Sequence, residues 1–127
     1  MKAIIAVNEL GYIGLNDSLP WRCSEDLKHF KKMTDGCTLL VGHNTSQKMP
    51  PLPGRTVIND ERGVIISEGI DWCIGGKKTY EKYCHLFTEL HISRIENKSE
   101  GDTVYPDLSS LNPECKIFEY NFKENQK

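Results

Sequence analysis

The sequence predicts a single α/β domain over residues 1–127, with a mostly parallel central sheet and flanking helices. Two observations predict this class. Short apolar runs rich in β-branched residues alternate along the chain with segments of helical period, the pattern of crossover units on a parallel sheet. The chain is also long enough for one well-filled core but not for two.

Residues 2–7 form an apolar run that reads as a buried strand. A long loop over residues 8–23 follows, turned by Gly11 and Gly14 and ended by Pro20. Ser24 suits the N-cap of a helix, and Glu25 and Asp26 then occupy its first turn, where the dipole favours acids. Leu27, Phe30 and Thr34 recur at helical spacing, as do Asp26, Phe30 and Met33, so Asp26 borders the apolar face. Residues 37–41 make a second buried strand, stopped by Gly42, and a short helix covers residues 44–49 before Pro50-Pro51-Leu52-Pro53-Gly54. Strands are predicted at residues 55–59, 63–67 and 71–74. Gly75-Gly76 opens a helix through Tyr80 and Tyr83. Residues 90–95 alternate as a strand that ends in an acidic turn at residues 100–103. Phe118, Tyr120 and Phe122 alternate in a final strand before a frayed tail.

The net charge is -2, and the lysines are scattered, with only Lys31-Lys32 and Lys77-Lys78 as pairs. No basic stripe exists for nucleic acid. No apolar run approaches a membrane span, and the first apolar stretch is too short for a signal peptide, so a cytoplasmic location is expected. The five cysteines are odd in number and dispersed, which fits free thiols in a reducing compartment. Cys84, His85 and His91 lack metal-ligand spacing, and no metal is expected.

The most informative stretch runs over residues 13–27. A glycine-bearing loop ends in Pro20-Trp21, and a helix opens with the single carboxylate Asp26 on its otherwise apolar face. A lone acid among aromatic and aliphatic neighbours suits a flat, protonatable heterocycle. A first-turn acid that serves only the helix dipole is the plainer reading. Pro20, Trp21 and Phe30 close by favour the binding role.

Four blocks, in the right order, resemble dihydrofolate reductase. They are residues 4–34, residues 39–45, Leu52-Pro53-Gly54-Arg55, and a discontinuous block over residues 74–106. The last holds Ile74-Gly75-Gly76, Tyr80 and Glu100-Gly101-Asp102-Thr103-Val104-Tyr105-Pro106. Each block alone is weak, whereas the ordered set is specific. The chain looks like a shortened member of the family, lacking the helix that precedes the Ile-Gly-Gly segment and the last strand.

The resemblance implies an oxidoreductase of tetrahydrofolate biosynthesis and one-carbon metabolism. It would reduce 7,8-dihydrofolate to 5,6,7,8-tetrahydrofolate with NADPH, by hydride transfer to C6 and protonation at N5. By the same resemblance Asp26 carries the pterin, with its pKa raised by burial. Trp21 anchors water beside that acid, and Ser93 stands where the family has a threonine hydroxyl linked to it. Ile4, Ala6, Leu27, Phe30, Met49 and Ile74 line the substrate site, and Arg55 forks onto the glutamate tail. Ala6, Ile13, Leu19, Gly42, His43, Asn44, Thr45, Gly75, Gly76 and Tyr80 form the cofactor side, with a cis Gly75–Gly76 bond.

His43 stands where an arginine is common, and Asp60 and Glu61 lie where the family often presents groups to the cofactor's 2′-phosphate. Acids there suit a free ribose hydroxyl, which makes NADH the alternative cofactor. The alternative function is an inactive or weakly active folate-binding relative with a structural or regulatory role. A reductase of riboflavin synthesis shares the fold but does not usually carry the Pro-Trp and Asp arrangement. Expected partners are dihydrofolate and antifolate-like small molecules, with no nucleic acid and no membrane. A bare sheet edge left by the missing strand makes the chain a monomer or a weak homodimer.

Overall fold

β1 (Lys2–Asn8) lies inside the sheet, with Ala3, Ile4, Ile5 and Val7 all buried. That two-sided burial explains its unbroken apolar run, since a strand covered on both faces has no polar side to show. The computed structural model describes residues 1–14, 23–48, 52–60 and 69–123. Along the chain β1 is followed by β2 (Tyr12–Gly14), α1 (Ser24–Thr34), β3 (Thr38–Gly42), α2 (His43–Lys48) and β4 (Thr56–Asp60). Then come β5 (Trp72–Cys73), α3 (Lys77–Tyr83), a 3₁₀ turn at Cys84–Leu86, β6 (Glu89–Glu96), β7 (Thr103–Val104) and β8 (Lys116–Lys123).

Six strands form one sheet in the order β4-β3-β5-β1-β6-β8, and every pairing in it is parallel. Antiparallel pairing occurs outside that sheet, in a separate ribbon of β2 and β7 extended by the Tyr105 N–H donating to the Gly11 carbonyl at 2.9 Å. The loop at residues 8–23 and the acidic turn at residues 100–103 thus each contribute a strand to it. Strands of three and two residues are too short to show a period.

Register sets the two faces. Ile4 lies beside His91 and Ala6 beside Ser93, while Ser93 in turn lies beside Tyr120. One face packs Ala3, Ile5, Val7, Leu40, Leu90 and Ile92 against Tyr80, Tyr83 and Phe87. The other packs Ile4, Leu39 and Trp72 under Phe30 and Met33 of α1. Ala6 and Phe122 extend that face around Cys23 and Ile95.

Two expectations on the elements are corrected. The N-cap of α1 is Cys23, in extended backbone with no side-chain cap, and Ser24 is the first helical residue. The strand expected at residues 71–74 narrows to β5, because Ile74 makes one more sheet bond and Gly75 then turns at φ 116°. The strand expected at residues 63–67 lies outside the described residues. β8 is paired along its whole length with β6, so the free edge is its outer one. All five cysteines are free, and no helix among the described residues is long and apolar enough to cross a membrane.

Candidate active site

Asp26 is the third residue of α1, within its first turn, and is only 6% exposed. The helix turns it onto the sheet face where Ala6 and Ser93 are register partners. Burial raises its pKa above the ordinary carboxyl value, and the Ser93 hydroxyl and the field of His29 offset part of that rise. The approach of Ser93 is not a completed hydrogen bond. Ser93 Oγ and His29 Nε2 are the two buried side-chain polar atoms without a partner among the described residues. Leu27, the next residue, is 50% exposed and does not desolvate the acid. On a helix the adjacent position points elsewhere.

One turn on, Phe30 joins Ile4, Leu39, Trp72, Leu52 and Ile74 in an apolar wall. Arg55 lies at the far end of this wall, its guanidinium 6.0 Å from the Phe30 ring centroid. Its Nε and Nη2 donate to the Pro53 carbonyl at 3.1 and 3.0 Å, and Nη1 donates to Thr34 Oγ1 at 3.4 Å. Thr34 is itself fixed, donating to the Phe30 carbonyl at 2.8 Å. Helix end, turn and arginine therefore form one unit.

Glycines build the opposite side. The Gly42 N–H donates to the Gly75 carbonyl at 2.6 Å, and the Gly75–Gly76 bond is cis. A Cβ on Gly42 would lie 2.6 Å from Thr79 Oγ1, and one on Gly76 would lie 2.8 Å from Thr45 Oγ1. Neither position has room for a side chain. His43 and Asn44 are exposed on α2, and Thr45 is half-buried. Tyr80 is packed against Gly75 and donates its hydroxyl to the Ile4 carbonyl at 2.6 Å, while burial pushes its phenol well above the usual range. Ile13 lies on β2, packed against the same core.

Asp60 is not a free acid. It accepts from Tyr83 at 2.8 Å and pairs with Lys82 at 3.3 Å. Leu19, Trp21, Met49 and Glu61 lie outside the described residues. Ile4, Ala6, Asp26, Phe30, Ile74 and Ser93 converge on one face, with Arg55 at its rim. The sequence reading missed His29, next to Asp26 on α1, and His91 and Tyr120, which gather beneath His29. For His29 the signal was present in its spacing, three residues after the acid.

The chain matches the family model described as dihydrofolate reductase over residues 1–71. It is 31% identical to the dihydrofolate reductase of Staphylococcus aureus, over 84% of this chain and 77% of that one. Against the dihydrofolate reductase of Haemophilus influenzae the identity is 27%, over 97% and 89%. A solved dihydrofolate reductase from Enterococcus faecalis, complexed with NADP(H) and RAB-propyl, superposes with a TM-score of 0.73 at 30% identity. That match covers 85% of this chain and 77% of the other. A parallel sheet carrying a buried helix acid on one face and a paired-glycine turn at its margin, together with these matches, shows that the chain belongs to the dihydrofolate reductase family of oxidoreductases.

Proposed function

We propose that this chain reduces 7,8-dihydrofolate to 5,6,7,8-tetrahydrofolate with NADPH, hydride arriving at C6 and a proton at N5. The observation that carries the reading is the lone buried carboxyl of Asp26 beside the wall of Ile4, Phe30 and Ile74. Its two oxygens match the 2-amino group and N3 of a pterin, a bidentate pairing of charge and shape. The wall holds the flat ring out of water, which strengthens that pairing. The same features suit antifolate-like molecules with a protonatable ring.

Ser93 and Trp21 support the acid and the water that reaches N5. Leu27, half exposed, is assigned to the substrate side by the family resemblance. By the family resemblance, Phe30 and Met49 are assigned to the aminobenzoyl group. Arg55 has five N–H donors, and three are engaged with Pro53 and Thr34. One remains on each terminal nitrogen, the fork that a substrate α-carboxylate fits.

The cofactor side consists of Ala6, Ile13, Leu19, Gly42, His43, Asn44, Thr45, Gly75, Gly76 and Tyr80. Its fit rests on the two glycine positions where a Cβ would collide, which let the end of β3, the start of α2 and the paired-glycine turn approach closely enough to receive a phosphate between them. Bound NADPH supplies the hydride. NADPH is favoured over NADH because Lys82 and Tyr83 already engage the Asp60 carboxylate, which removes much of the expected repulsion of a 2′-phosphate.

The test uses NADPH carrying deuterium at the transferred position of C4, with dihydrofolate as substrate. The expected product is tetrahydrofolate with deuterium at C6. Folded protein that binds folate but forms no labelled product would overturn the reading and favour the folate-binding alternative.

A further inference from the structure

We propose that His29 is a positioning residue that sets the charge of Asp26, held one helical turn away by the aromatic side chains of β8. The inference rests on the reading of Asp26 as the pterin-binding acid. Its physical content is a coupling between two side chains, and that coupling exists whether or not the chain turns over.

The placement follows from helix and sheet periodicity together. Residues three apart on a helix are neighbours on one face, so Asp26 and His29 both look onto the sheet from α1. Beneath them, Ser93 and Tyr120 are register partners on β6 and β8. Asp26 lies by Ser93, and the His29 ring lies against Tyr120, with centroids 4.3 Å apart and a tilt of 50°. Phe122 is a second ring contact at 5.5 Å.

Tyr120 is itself fixed from behind. Its hydroxyl is 2.9 Å from His91 Nδ1, while His91 Nε2 is 2.9 Å from Glu89 Oε1. With Glu89 ionised, Nε2 of His91 is the donor, which leaves Nδ1 of the neutral ring to accept from Tyr120. The tyrosine proton is thereby committed to His91. The hydroxyl does not serve His29, whose buried Nε2 has no partner. An imidazole nitrogen left in this way has the acid as its compensating charge.

The electrostatics agree with the geometry. Burial lowers the pKa of His29 and raises that of Asp26, so the two titrations move toward each other. The groups facing His29 are Asp26 and Lys32 from α1, His91 from β6 and Tyr120 from β8. Asp26 favours its protonation, while Lys32 opposes it, as does His91 whenever that ring is charged. A protonated His29 therefore favours the charged form of Asp26, and the two titrate as a pair.

The test reads both groups in the unliganded protein, Asp26 by carboxyl infrared absorption and His29 by imidazole NMR. Replacing His29→Gln removes the charge and keeps a polar side chain. The expected result is a rise in the Asp26 pKa of roughly 0.5–1 unit, and His29→Lys should lower it. Asp26→Asn should lower the His29 pKa by the same amount as His29→Gln raises that of Asp26, because coupling is reciprocal. The apparent pKa in the kcat/KM profile of His29→Gln should move in step. An Asp26 pKa unchanged in both His29 variants overturns the proposal. Intact coupling in protein without turnover leaves it standing and removes only the catalytic reading.

Discussion

A carboxyl whose pKa rises on folding opposes folding wherever it is ionised, and Asp26 is such a group. Below its ordinary value of 3.8 both states are protonated and the penalty is absent. The penalty grows as pH rises from there and is complete once the pH lies well above the folded value. Asp26→Asn should therefore raise the melting temperature at neutral pH by about 2–5 °C. The gain should vanish in scans below the ordinary carboxyl pKa. A variant equally stabilised at both pH values would show that charge burial is not the cause. At Arg55 the fork matters more than the charge. Arg55→Lys should raise KM about tenfold for substrates with a glutamate tail and leave kcat nearly unchanged. Steady-state rates with a tail-less pterin check this, because that substrate should suffer no loss. Asp26 and Arg55 stood out in the sequence through their surroundings, a Pro-Trp pair before one and a Pro-Gly turn before the other. His29 did not, because its role depends on Tyr120, 91 residues away, and only the β6–β8 register joins them.

At the scale of elements, the paired-glycine turn and the end of β3 are fitted to each other. Gly42→Ala puts a methyl group 2.6 Å from Thr79 Oγ1 and should cost about 1–3 kcal/mol. Adding Thr79→Ala removes the atom it meets, so the double variant should recover part of that loss. A denaturant-midpoint cycle measures the coupling, and simple additivity would contradict the close approach. The long elements β1, α1, β6 and β8 were visible in the sequence because each is long enough to carry an apolar run or a period. β2 and β7 were not, since so few residues carry no period and their pairing is non-local. The cap of α1 was misplaced by one residue. Ser24 has the side chain of a good cap, but the extended backbone falls at Cys23.

For the whole molecule, the sheet order explains how distant segments make one site. β1 lies between β5 and β6, and so brings Ile4 and Ala6 between the Gly75–Gly76 turn and Ser93. The alternation of elements gave the fold class; the ordered motifs, rather than any spacing rule, gave the assembly of the site. A folded chain with an intact pocket should be stabilised by its ligands. Saturating NADPH or folate at about one hundred times Kd should add roughly 2.7 kcal/mol, read as a rise in melting temperature. A shift with folate and none with NADPH would contradict the glycine side as a cofactor site. The most direct measurement is the loss of NADPH absorbance when purified protein meets dihydrofolate, made side by side with Asp26→Asn. The predicted result is steady oxidation by the natural chain and a fall of at least about one hundredfold in the variant. Equal rates in the two proteins would remove Asp26 from the chemistry and contradict the central claim.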